Sequence, residues 1–85
     1  MKVRVLYFAG IREKLGRDAE DLVLPAGVGT VAELRVHLRG RGDAWAEALD
    51  EGKLLRAAVN QDMAHPTAAI KAGDEVAFFP PVTGG

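Results

Sequence analysis

The residues best suited to chemistry stand at the end of the chain, in VAFFPPVTGG, Val76 to Gly85. Gly84-Gly85 offers a terminal carboxylate with no side chain beside it. Such an end can thread a narrow channel, where another protein works on the Gly85 carboxyl group. The residues before it suit that use. Pro80-Pro81 cannot continue a hydrogen-bonded ladder and favours an extended polyproline conformation. At ~3.1 Å per residue, Pro80 to Gly85 would project roughly 20 Å. Val82 and Thr83 are β-branched and stiff. The ordinary alternative is a frayed terminus, because chain ends are usually poorly ordered. Residue types alone leave both readings open.

Elsewhere the candidates are weaker. The chain has no cysteine, which excludes a disulfide framework, a thiolate metal site and a cysteine nucleophile. It has no serine, hence no serine nucleophile. His37 and His65 lie far apart without ligand-spaced partners, so no metal is expected. Gly27-Val28-Gly29 lacks the third glycine of a phosphate loop and reads as the turn into a helix. Arg41-Gly42-Asp43 matches an adhesion tripeptide by chance. The acid pairs Asp50-Glu51 and Asp74-Glu75 flank glycines and read as solvated turns.

Composition sets the frame for these residues. A length of 85 residues implies one domain, expected over residues 1–79 with an extended tail over 80–85. A chain this size leaves little room for a deep enzyme cleft. Apolar residues make up 48%, enough for a core. Eleven basic against twelve acidic residues leave a net charge of −1, which gives no electrostatic case for nucleic acid or a membrane surface. No apolar run approaches the ~20 residues of a membrane span. The opening MKVRVLYFAGIREKLGRD lacks a signal-peptide core. A soluble, cytoplasmic protein is the expectation.

Residues 2–9 alternate polar and apolar and predict a strand. Gly10 breaks it. Residues 11–15 have room for one or two helical turns, with Gly16 as the stop. Residues 21–24 form a second strand, returning through a wide connection and halted by Pro25. Thr30-Val31-Ala32-Glu33 is a capping box. The helix it opens carries Val31, Leu34 and Leu38 on one face and stops at Gly40. Asp43 is placed to cap a short second helix holding Trp45 and Leu49. Residues 53–60 predict a third strand, 60–66 a turn-like stretch and 67–70 a brief strand. After the turn at Ala72-Gly73-Asp74 comes the last strand, Glu75–Phe79. This order predicts an α+β fold. One mixed sheet has its first and last strands parallel at the centre, the main helix across one face, and a short second helix. That is the layout of the β-grasp, or ubiquitin-like, fold.

Strand alternation then sorts the faces. Lys2 and Arg4 mark the solvent side of the first strand and carry Leu6 and Phe8 with them; Val3, Val5 and Tyr7 face the helix. Glu75 marks the solvent side of the last strand, with Ala77 and Phe79, while Val76 and Phe78 point inward. Arg56 leaves Leu55, Ala57 and Val59 for the core. Leu6, Phe8 and Phe79 thus gather outside, near the tail's departure. Apolar residues gathered in one place suggest a partner surface. Scattered surface apolars are the ordinary alternative.

Three stretches, VRVLYFAGIREKLG, LLRAAVNQ and GDEVAFFPPVTGG, carry a resemblance over nearly the whole chain. The sequence resembles the small subunits of molybdopterin synthase, a branch of the ubiquitin-like sulfur carriers. DEVAFFPPVTGG is the most specific part; Gly-Gly alone is shared with thiazole-pathway carriers and ubiquitin-related modifiers. Residues 39–52 are less informative. The resemblance implies that an E1-like adenylating enzyme uses ATP to convert the Gly85 carboxylate to an acyl-adenylate. Sulfur from a donor protein then replaces AMP, leaving a thiocarboxylate. It implies that the tail, Pro80, Pro81, Val82, Thr83 and Gly84, threads into the synthase large subunit, with two small subunits at opposite ends of a large-subunit dimer. There the sulfur passes to a cyclic pyranopterin precursor and builds the molybdopterin dithiolene.

On this reading no cofactor is tightly bound, sulfur is carried covalently on Gly85, and the chain has no turnover alone. A thiocarboxylate supplies a sulfur nucleophile without a cysteine, in line with the composition. The competing readings are a sulfur carrier for thiazole or for a thiolated RNA base, a modifier whose Gly85 joins lysines, and an interaction module with an inert tail.

Overall fold

The computed structural model describes residues 1–81. Val82, Thr83, Gly84 and Gly85 lie outside it, and with them most of the extended tail expected over 80–85. The elements run β1 (Lys2–Tyr7), α1 (Ala9–Leu15), β2 (Ala19–Val23), α2 (Val31–Arg39), α3 (Asp43–Ala48), β3 (Arg56–Val59), β4 (Asp62–Ala64) and β5 (Glu75–Phe79). They form one five-stranded sheet in the order β2-β1-β5-β3-β4. β1 and β5 pair in parallel at its centre, Val5 opposite Val76 and Tyr7 opposite Phe78. β2 lies antiparallel to β1, and β3 antiparallel to β5. This is the β-grasp arrangement that the sequence predicts.

The core lies between the sheet and its helices. β1 contributes Val3, Val5 and Tyr7, β5 contributes Val76 and Phe78, and β3 contributes Ala57. Across from them sit Val31, Leu34 and Leu38 of α2, with Ile11 of α1 and Leu49 after α3. The phase set by Lys2, Arg4 and Glu75 therefore holds.

α2 is positioned from its first turn. Thr30 Oγ1 accepts from the Glu33 N–H at 3.2 Å, and the Glu33 carboxylate accepts from the Gly29 N–H at 3.0 Å. The capping box thus closes one residue earlier than its usual form, on the residue before the cap. The next two free amides look further away: Val31 N–H donates to Ala68 O at 3.1 Å and Ala32 N–H to Pro66 O at 2.8 Å. This is why residues 67–70 are not the brief strand predicted. Their stretch serves the start of α2, and Ala69 makes only an isolated bridge to Thr30.

Other expectations need correction. The first strand ends at Tyr7 rather than at residue 9, because the chain reverses at Ala9 into α1. α1 is a full element, closed by Gly16 in the left-handed conformation at φ 70°, so there are three helices among the described residues. Asp43 does not cap α3; it is the first helical residue, and Gly42 is the cap, at φ 151°, a value suited to glycine. β2 and β3 differ by a few residues from the predicted 21–24 and 53–60. The stretch 60–66, predicted turn-like, contains β4. Asn60 and Gln61 both have positive φ, 51° and 71°, and make the two-residue turn that returns the chain onto β3.

Candidate functional site

The outer face of the sheet is organised by register. Directly paired residues point to the same side, so one row runs across four strands: Leu6 of β1, Ala77 of β5, Ala58 of β3 and Met63 of β4. Ala77 and Ala58 are small and form a floor; Leu6 is half-buried, and Met63 stands 63% exposed at the edge. Phe8 and Phe79 rise at the end of β1 and β5, next to Pro80 and Pro81. The three outer residues expected to gather, Leu6, Phe8 and Phe79, do line one groove, together with Pro80 and Pro81. It holds about 580 Å³ and is open along its length. It is an open trough rather than the enclosed chamber usual for a small molecule.

Phe8 is 43% exposed and Phe79 half-buried, whereas Phe78 is 1% exposed. Phe8 is thus a large apolar group held at the surface beside other apolar groups, whereas Phe78 belongs to the core. Sequence reasoning placed Ala77 on this face with Phe79, but did not name Ala58 or Met63 as members of it. Met63 falls in a stretch that looked like a turn, and only the pairing Ala58–Met63 places it in the row. The signal available was the apolar Met63 two residues after a turn-forming Asn-Gln.

The tail-exit end has a second cluster, on the helix side. Tyr7 Oη donates to Glu20 Oε2 at 2.7 Å. Arg41 reaches the same oxygen at 2.9 Å, and Arg17 reaches Oε1 at 3.1 Å. Arg41 lies 4.1 Å over the Trp45 ring, and Tyr7 meets Trp45 edge-on at 5.7 Å. Burial, and then the bond to Glu20, pushes the Tyr7 hydroxyl far above the ordinary phenol range. Burial would raise Glu20, but bonds from Arg41 and Tyr7 outweigh it and hold the carboxyl below its usual range. A proton-transfer catalyst works best with a pKa near the operating pH. Both groups are instead locked in their resting states, so the cluster serves the fold.

A pH dependence follows. The folded-state pKa of Glu20 is depressed, so its stabilisation is present above the unfolded carboxylate value of ~4.3 and is lost as pH falls through the lower folded value. Glu20→Gln is expected to lower stability at neutral pH and to flatten the acid limb of a stability–pH profile measured by chemical denaturation. An acid limb unchanged by the substitution would contradict this assignment.

His37 lies in α2 and His65 after β4, on separate elements. A second hollow of about 450 Å³ lies between α2 and the β3–β4 edge, bordered by Val36, Leu54 and His65. Arg35 borders it too, but its guanidinium is engaged: Nε donates to Leu49 O at 2.9 Å and Nη2 to Lys53 O at 3.1 Å. No described helix is long and apolar enough to cross a membrane.

Residues 5–85 match the ThiS family. A molybdopterin synthase sulfur carrier subunit of Escherichia coli (strain K12) is 51% identical over 83 residues, covering 98% of this chain and 99% of that one. The chain belongs to the ThiS family. Among solved structures, this ThiS-family chain is similar to SAMP1 from Haloferax volcanii, with a TM-score of 0.78 and 30% identity over 100% of both chains. It is also similar to a chain of the complex of subunits 1 and 2 of the molybdopterin-converting factor from Helicobacter pylori 26695. There the TM-score is 0.65 and the identity 25%, again over 100% of both chains. These likenesses span the whole length of the β-grasp chain.

Proposed function

We infer that this chain works as the sulfur-carrying small subunit of a molybdopterin synthase. The observation that carries the reading is the 51% identity over 98% of the chain to the Escherichia coli subunit. The chain's part is to present one reacting group. A carboxylate is a poor electrophile; adenylation with ATP by an E1-like partner supplies AMP as its leaving group, and a sulfur donor then leaves a thiocarboxylate on Gly85. The catalytic groups belong to the partners. Pro80-Pro81 starts the tail in a stiff, extended direction at the end of β5, and Val82, Thr83 and Gly84 stand between it and the reacting Gly85 in the sequence. The domain is residues 1–79 and the tail 80–85.

The outer groove, with Phe8, Leu6 and Phe79, is the docking surface for the synthase large subunit. Support comes from the Helicobacter pylori relative, which is part of a complex of subunits 1 and 2. Met63 extends the surface to the sheet edge. Affinity capture with the chain as bait, in extract of its own host, is expected to recover the large subunit. A chain ending at Phe79 should fold and recover far less. Equal recovery by the shortened chain would remove the tail from the interaction.

A second reading has one observation in its favour. SAMP1 is a small archaeal modifier protein, so Gly85 joined to lysine amines is the alternative product. Conjugates of this chain in host extract would support it.

A further inference from the structure

Among the described residues, three that are not glycine have a positive φ: Ala9 at 53°, Asn60 at 51° and Gln61 at 71°. Asn60 has a local reason. Asparagine tolerates this region, and its side chain is clamped, Nδ2 donating to Asp74 Oδ1 and Oδ1 accepting from the Glu75 N–H, both at 3.0 Å. Ala9 and Gln61 have no such anchor, and both line the outer groove. They sit at opposite ends of it. Ala9 follows Phe8 at the tail exit, where Phe8 N–H donates to Phe78 O at 3.3 Å. Gln61 sits in the turn after β3, beside the start of β5.

Bulkier residues are uncommon at positive φ, and they gather where function needs a fixed geometry. The order of residues at the first position sharpens the point. Glycine stands at position 10, whose φ is not positive and whose added Cβ would meet nothing within 4 Å. Alanine stands at position 9, where the backbone is strained. At the second position, glycine is the favoured residue for such a hairpin turn, and glutamine stands there instead.

We propose that Ala9 and Gln61 are positioning residues for docking, each holding one end of the outer groove in a single narrow backbone well. The proposal rests on the reading of the outer face as the large-subunit surface. An L-residue at positive φ has one small allowed region, whereas glycine roams a much wider one. Alanine at position 9 confines the chain reversal after Phe8, and the direction of Phe8 with it. Gln61 confines the β3–β4 turn in the same way. The folded state gives up some stability at both places. Association gains, because less conformational freedom remains to be lost on docking.

The test uses the full chain and the synthase large subunit. One variant combines Ala9→Gly with Gly10→Ala, which keeps the composition and moves glycine to where the backbone favours it. The other is Gln61→Gly. Each is expected to melt at or above the parent temperature and to bind about threefold to tenfold more weakly by titration calorimetry. Stability and affinity moving in opposite directions is a result that a merely structural role does not produce. Gln61→Ala removes the amide but keeps the narrow well, and is expected to bind like the parent. If it binds as weakly as Gln61→Gly, the side chain acts by contact and the positioning role of Gln61 is overturned. Phe79→Ala is measured alongside. If it weakens binding while the glycine variants bind like the parent, the inference fails and the docking face stands. If all of them bind like the parent, the docking face itself is misplaced.

Discussion

Phe78→Ala is expected to destabilise the fold by about 3–5 kcal/mol, the usual cost of emptying a core aromatic site. Phe78 is 1% exposed, and its register neighbours Tyr7 and Ala57 are buried with it. Truncation would leave a cavity under the helices that rigid strands on both sides cannot close. Phe79→Ala is expected to behave in the opposite way. Its ring points to the outer face, pairs in register with exposed Arg56, and borders the groove at the tail's exit. Its loss should barely lower the melting temperature, yet weaken large-subunit binding by about 1–3 kcal/mol, as for an anchor residue. Thermal melts and titration calorimetry on both variants check the pair. A Phe79→Ala chain that melts early and, once folded, binds normally would mean the groove is not the contact surface.

Removing Gly85 is expected to abolish sulfur loading while the fold is untouched. The deletion shifts the terminal carboxyl group by one residue, roughly 3.3 Å of extended chain, which exceeds what a positioned reaction tolerates. Adding one residue after Gly85 should have the same effect, because the carboxyl group again misses its place. Neither change alters a residue of the core, which β1, β3, β5 and the helices supply. Loading by the adenylating enzyme with ATP and a sulfur donor is the measurement, with thermal melting as the control for folding. Normal loading of the shortened chain would sink the idea.

Much of this was legible locally. Lys2 and Arg4 in β1 and Glu75 in β5 fix the phase of each strand, because a charge on the helix-packed side would be buried without a partner. Thr30 and Glu33 mark the start of α2 by themselves. The groove was legible to the extent that Leu6, Phe8 and Phe79 share a phase with those charges. What escaped depends on contacts far apart in sequence. Met63 joins the outer row only through its pairing with Ala58. Residues 67–70 lost their predicted strand because Ala68 O accepts a hydrogen bond from the first turn of α2. The Tyr7–Glu20–Arg41 cluster joins positions separated by 13 and 21 residues, and no local pattern announces it. β4 is three residues long and follows a turn without glycine, so neither usual hairpin sign was present.

The central claim is that Gly85 carries sulfur. The most direct measurement is the intact mass of the chain purified from its own host, set beside the same chain lacking Gly85. A fraction of the full chain is expected to have gained the mass difference of one oxygen replaced by sulfur, mapped to Gly85 by fragmentation, and the shortened chain is expected not to. A full chain found wholly as the free carboxylate, in cells whose sulfur-loading enzyme is active, would contradict it.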